Sequence, residues 1–262
     1  MTMKNSATLM LLLVGCLLLG ACKSAEMASD AGATTAPAMT MEQELIAKSI
    51  EAQGGLANLR AVESMQMTGE VYMPFAGMSM PLTIYQKRPG MVRVEVSIPA
   101  MGVEVVSGYD GEIAWTDNPV QGGLQKLTGE QARTSKEQAD MDGFLVDYAA
   151  KGYTVEYAGD AEVKGMQTKK LKIMRPDSSE IRMYFDAETF RQVKTEGEGT
   201  NPLTGAQAKV ETYLSDFKEV EGVMRAHAIE VLMDGEVFQQ VTVSEVKVNV
   251  EIDDAIFAYP KK

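Results

Sequence analysis

Few side chains in this 262-residue chain are equipped for covalent chemistry. It has two cysteines, Cys16 and Cys22, and one histidine, His227. A nucleophilic enzyme needs its nucleophile within reach of a base, and a third group that orients the base. His227 stands on an alternating stretch between Ala226 and Ala228, with no such group beside it in sequence. Nucleophile-elbow, zincin and phosphate-loop sequences do not occur. A zinc site built on one histidine would need mostly carboxylates, an uncommon ligand set. Asp110, Asp117, Asp253 and Asp254 offer oxygens of the kind calcium takes, but no loop has EF-hand spacing. They read as turn and solvent residues. The sequence therefore predicts no catalytic residue, no metal and no cofactor.

The chemistry that the spacing does support is at Cys22. Lys4 precedes an apolar run over residues 7–19, and Gly20-Ala21 stands directly before the cysteine. A charged start, an apolar middle and small residues at the cut make a secretory signal. The run is shorter than the roughly 20 apolar residues of a membrane span. Leu19-Gly20-Ala21-Cys22 resembles the lipobox of bacterial lipoproteins. That resemblance implies a diacylglycerol on the Cys22 thiol, cleavage before it, and an acylated, palmitate-type N-terminus. Leu13-Val14-Gly15-Cys16 is a second match, but a cut there would leave Leu17 to Leu19 exposed on the mature chain. Residues 1–21 are thus expected to be a signal peptide. In lipoprotein sorting an aspartate after the cysteine marks inner-membrane retention, and Lys23 stands there instead. The resemblance therefore implies an outer-membrane anchor facing the periplasm.

With Cys16 removed and Cys22 acylated, no disulfide remains, and the fold must stand on packing alone. The net charge of −12 becomes −13 once Lys4 is gone. Nucleic acid requires basic patches, and none is present, so no nucleic-acid partner is expected. An acidic body gains nothing from anionic lipid either. The acyl chains themselves must hold the protein at the membrane.

Residues 22–39 carry the acylated cysteine and a small, polar tether without apolar period. Order is expected from Thr40, where Thr40 and Gln43 form a capping-box pattern. Leu45, Ile46 and Ile50 follow at helical spacing, and Gly54-Gly55 stops the helix. Leu56, Leu59 and Val62 suggest one more short helical turn. From Ser64 the period becomes two. Met65, Met67, Val71 and Met73, then Met78, Met80, Leu82 and Ile84, then Val92, Val94, Val96 and Ile98 each define one apolar strand face. Short strands follow at 103–106 and 112–116. Met141, Phe144, Leu145 and Tyr148 then suggest an amphipathic helix of about 15 residues within 128–151, with Gly143 its weak point. Seven strands are expected at 153–158, 167–174, 180–185, 191–196, 208–217, 224–233 and 236–246. Only Asp234-Gly235 has the sequence of a tight two-residue hairpin.

The expected fold is mainly β (α+β): one large curved antiparallel sheet of about 11–12 strands, an open half-barrel whose concave face two helices cover. Over roughly residues 40–260 the chain resembles the outer-membrane lipoprotein-sorting, LolA/LolB-like, superfamily. The resemblance rests on Gly54-Gly55-Leu56 with Leu59, Ala61-Val62 and the strand at 65–69. It rests also on Tyr109-Asp110-Gly111 with Trp115, and on Asp253-Asp254, Phe257 and Pro260. It implies one domain over residues 40–262 whose cavity accepts acyl chains.

Sixteen of the nineteen methionines follow the cleavage point, and methionine adapts to varied apolar ligands. The expected cavity lining is Met65, Met67, Val71, Met73, Met78, Met80, Leu82, Ile84, Val94, Val96, Trp115, Phe144 and Leu145. An ordinary methionine-rich core fits the same pattern, and Trp115 equally suits a core position with its N–H paired. The predicted function is non-covalent binding of an apolar ligand, the acyl chains of lipoproteins or lipids, in transfer to the outer membrane. The other reading is a regulatory or structural envelope module that works by protein contact. Neither reading sets an oligomeric state.

Overall fold

The computed structural model describes residues 39–261. The expected signal peptide, the expected lipobox with Cys22 and the expected tether up to residue 38 lie outside the described residues.

Helix α1 (Met41–Ala52) begins at the predicted capping box. Thr40 Oγ1 accepts from the Gln43 amide at 3.4 Å, and Gln43 Oε1 accepts from the Thr40 amide at 3.0 Å. Leu45, Ile46 and Ser49 form its buried face. The chain turns at Gly54, whose φ of 114° few residues other than glycine adopt. A Cβ there would also stand 2.0 Å from the Gly222 carbonyl oxygen. Helix α2 (Gly55–Ala61) follows and buries Leu59.

The sheet is a single antiparallel sheet of 13 strands that does not close into a barrel. Its first half is β1 (Ser64–Met73), β2 (Met78–Lys87), β3 (Met91–Ile98), β4 (Val103–Tyr109), β5 (Ala114–Asn118) and β6 (Gly123–Lys126). Helix α3 (Gly129–Ala139) and a run of turns lead to the second half. That half is β7 (Thr154–Val163), β8 (Met166–Met174), β9 (Glu180–Asp186), β10 (Gln192–Thr200), β11 (Gln207–Val220), β12 (Val223–Met233) and β13 (Glu236–Val248). Each half is a meander, and β1 pairs with β13 to join them. A bulge at Thr68/Gly69 marks this seam. A Cβ on Gly69 would lie 2.1 Å from the Thr242 carbonyl oxygen, so the close approach needs glycine.

Three expectations are corrected. The strand count is 13, above the expected 11–12, because β6 was not foreseen; it is four residues long, starts at a glycine and has no alternation. Among the described residues there are three helices, the short turn at residues 56–62 forming α2 as expected, but the helix expected within 128–151 is displaced from the predicted apolar stripe. Helix α3 ends at Ala139, and Asp140 Oδ1 accepts from the Asp142 amide at 2.9 Å, turning the chain out of the helix. Gly143 and Asp147, at φ 60° and 51°, keep it irregular. Met141, Phe144, Leu145 and Tyr148 thus reach the core from turns. Asp234-Gly235 does join β12 to β13 with both φ positive, but Lys164-Gly165 and Glu221-Gly222 make hairpins of the same kind.

Two cores fill the concavity. One lies on the first half and the seam, around Met65, Met73, Met80, Val96 and Val241. The other lies on the second half, around Leu171, Ile173, Phe185 and the α1 residues Leu45 and Ile46. Ile50 of α1 packs against both.

Candidate functional site

Between the two cores the packing leaves a cavity of about 110 Å³. Its wall on the first half and the seam is Met67, Ile84, Val92 and Val94 with Val241 and Val243 of β13; its opposite wall includes Met183, Leu214 and Leu145. Ile50 of α1 and the 142–146 turn also line it. The walls are inward positions of alternating strands, so the same period that builds the core builds the cavity. The volume is several times what one water molecule needs, and is comparable to the roughly 150 Å³ of an apolar cavity that admits benzene. Met67, Met183 and Met224 in the lining can change rotamer around a longer guest.

Of the residues expected to line a cavity, Met67, Ile84, Val94, Phe144 and Leu145 do. Met65, Val71, Met73, Met80, Leu82 and Val96 are buried in the first-half core, Met78 packs against it, and none of them lines this cavity. Trp115 is elsewhere. Its indole N–H donates to the Phe257 carbonyl at 2.9 Å, and its ring packs on Gly108, where a Cβ would come within 2.5 Å. His227 is buried on β12 with Nδ1 3.1 Å from the Arg225 carbonyl oxygen. Asp110 and Asp253 accept from backbone amides in their own turns, and Asp254 pairs with Lys87 at 2.5 Å. Among the described residues no group of three or more His, Cys, Asp and Glu side chains is placed to hold a metal.

Polar residues cluster at one side of the cavity. The lining carboxylates are Glu137 and Asp142. Both are engaged from outside the lining. Arg175 makes a bidentate pair with Glu137, at 2.7 and 3.1 Å, and Arg88 Nη1 is 3.1 Å from Asp142 Oδ1. Next to them a larger polar cleft of about 650 Å³ opens between Pro89-Gly90, α3 and Tyr153. Asp140, paired with Lys151 at 2.6 Å, lies in it. Burial pushes the Asp140 carboxyl up to about 6, with Lys151 opposing the rise. Glu137 and Asp142 border both spaces, so the apolar cavity abuts a charged mouth.

Most of the lining was not expected from the sequence, and Arg225 is the most consequential case. Arg225 on β12 is only 3% exposed. It shares a strand face with Val223 and Ile229, which belong to the first-half core. Its Nε and Nη1 are buried without a hydrogen-bond partner among the described residues. Gln86 Oε1, in the same lining, also lacks one. Burial, with repulsion from Arg88, pushes the Arg225 guanidinium down to about 9, so it stays charged at neutral pH. Neighbouring contacts hold the strand in place: the Met224 amide donates to the Gln53 carbonyl at 3.0 Å, and Asn58 Nδ2 reaches the Gly222 carbonyl at 3.3 Å. The available signal was register, since Arg225 is two residues from Val223 and four from Ile229 on a period-two strand.

Solved structures share this architecture. A LolA superfamily protein from Nitrosomonas europaea aligns over 84% of this chain and 98% of its own, at 17% identity and a TM-score of 0.57. A DUF1329 family protein from Desulfovibrio piger aligns over 83% and 97%, at 13% identity and 0.59. This chain has their fold. A domain from Vibrio parahaemolyticus named for outer membrane lipoprotein sorting aligns over 82% and 94%, at 12% identity and 0.55. No known family profile matches the sequence, and no curated protein does. The LolA-type likeness is therefore one of fold, and the site must be argued from its own residues.

Proposed function

We propose that this protein binds an apolar ligand, the acyl chains of lipoproteins or lipids, in the cavity between its two cores, and serves their transfer to the outer membrane. The observation that carries this reading is the cavity itself: apolar strand faces surround an unfilled space under α1 and the 142–146 turn. Burial supplies the affinity, at about 0.8 kcal/mol for each methylene taken from water. No bond in the ligand is made or broken. Residues 1–21 act as the signal, Cys22 as the acylated anchor, residues 22–39 as the tether and residues 40–262 as the binding domain, held on the periplasmic side of the outer membrane. The shared fold with a LolA superfamily protein and a lipoprotein-sorting domain supports the same reading.

The test is to purify the full chain carrying Cys22→Ser without detergent, extract it with organic solvent and identify what is released by mass spectrometry. Stoichiometric fatty acid or phospholipid is expected, and Ile84→Asp or Val243→Asp should abolish it. A stable protein that yields no lipid and takes up none from vesicles would sink the proposal.

A further inference from the structure

We infer that Arg225 is an anion-binding subsite inside the cavity, and that the ligand is a single-chain amphiphile whose carboxylate pairs with this guanidinium while its tail lies along the apolar walls. This inference rests on the apolar-ligand reading above and names the class of ligand: a long-chain free fatty acid.

A guanidinium carries five donors and stays charged, so burying it without acceptors is costly. Arg225 is in that position: 3% exposed, with Nε and Nη1 unpartnered and no ion pair among the described residues. The cavity's own acidic groups do not relieve it. Glu137 is held by Arg175 and Asp142 by Arg88. The other lining cation, Arg191, sits over the Phe217 ring at 5.8 Å. The lining thus keeps its cations while its carboxylates are taken, which favours a guest that brings negative charge. A carboxylate matches the planar fork of a guanidinium with two parallel hydrogen bonds. It also ends a hydrocarbon chain without adding bulk. Acyl chains esterified on a lipoprotein carry no charge at this point, so Arg225 separates a free acid from an ester.

The experiment uses the full chain with Cys22→Ser, delipidated, and measures binding of hexadecanoic acid, its methyl ester and hexadecyl phosphate at pH 8. The acid should bind about 10- to 100-fold more tightly than the ester, the range of a charge-assisted hydrogen bond of 1.5–3 kcal/mol. Arg225→Leu should bind the acid only as tightly as the ester, and Arg225→Lys should restore part of the preference. Equal binding of acid and ester by the unsubstituted cavity would overturn the Arg225 subsite and leave the apolar site standing. Failure of all three to bind would overturn both. Tighter binding of the phosphate than of the acid would overturn the carboxylate assignment. The comparison of acid with ester needs no variant, so a folding defect in Arg225→Leu cannot mask the answer.

Discussion

Arg88 Nη1 lies 3.1 Å from Asp142 Oδ1, and the two side chains are only 17% and 6% exposed. Arg88 Nε also donates to the Val62 carbonyl at 2.9 Å. One guanidinium therefore ties the end of α2 to the turn that borders the cavity. Breaking a buried pair from one side leaves the other charge uncompensated, at a cost of about 3–5 kcal/mol. Asp142→Ala should lower the urea midpoint accordingly, whereas Arg88→Met with Asp142→Leu should recover much of the loss. A single variant within about 0.5 kcal/mol of the parent, the range of an ordinary surface change, would show that the pair does not hold the turn.

The seam between the halves makes a second demand. Gly69→Ala would put a Cβ 2.1 Å from the Thr242 oxygen, so β1 and β13 must part locally. The expected result is a destabilisation of about 1–3 kcal/mol, the scale of overpacking. Hydrogen exchange should quicken along β1 and β13 and not along β7 or β8. Uniform quickening across the sheet would argue against a local seam.

Trp115 is the only tryptophan, and its N–H is bonded to the Phe257 carbonyl. Phe257 is fully buried. Phe257→Ala should cost about 3–5 kcal/mol, and the fluorescence of Trp115 should shift to the red as the closing segment loosens. Unchanged emission would mean that the segment is held by other contacts.

Stability should depend on pH through Asp140. Burial raises its carboxyl to about 6 in the folded protein, against an ordinary value of 3.8. Between these values the folded state holds a proton that the unfolded chain has released, so stability falls as pH rises through this window. Glu196 works the other way. Burial would raise it, but hydrogen bonds from Lys194, Tyr184 and Lys209 hold it down to about 2, so its contribution is lost as pH falls below about 4.5. In Asp140→Asn the first effect should vanish. Denaturation from pH 4 to pH 7 should show the variant gaining on the parent as pH rises, and a constant difference would contradict the assignment.

Much of the sheet was legible because alternation is local. The period-two runs of β1, β2 and β3 identified their inward faces from Met65 to Ile98 without any knowledge of partners. The capping box at Thr40 was legible for the same reason. Alternation states which way a side chain points, but not whether a neighbour fills the space before it. Hence Met67, Ile84 and Val94 line the cavity while Met65, Met80 and Val96, on the same faces, are packed over. The stripe from Met141 to Tyr148 was misread because turns can deliver apolar residues to a core at helical spacing, and the carboxylate of Asp140 breaks the helix first. Arg225 went unnoticed because a charged residue on a strand ordinarily faces water, and only the placement of its neighbours shows otherwise.

The two meanders meet where the earliest strand pairs with the latest, Met65 opposite Val248. This pairing closes a loop of most of the domain, the kind of non-local contact that slows folding. Until β13 has emerged, β1 presents an open, methionine-rich edge with its donors and acceptors unmet. A chain growing or threading from its N-terminus must therefore carry that edge unprotected almost to the end. The first half is the segment a holdase would need to cover, and a truncation that removes β13 should yield aggregates rather than a smaller folded protein.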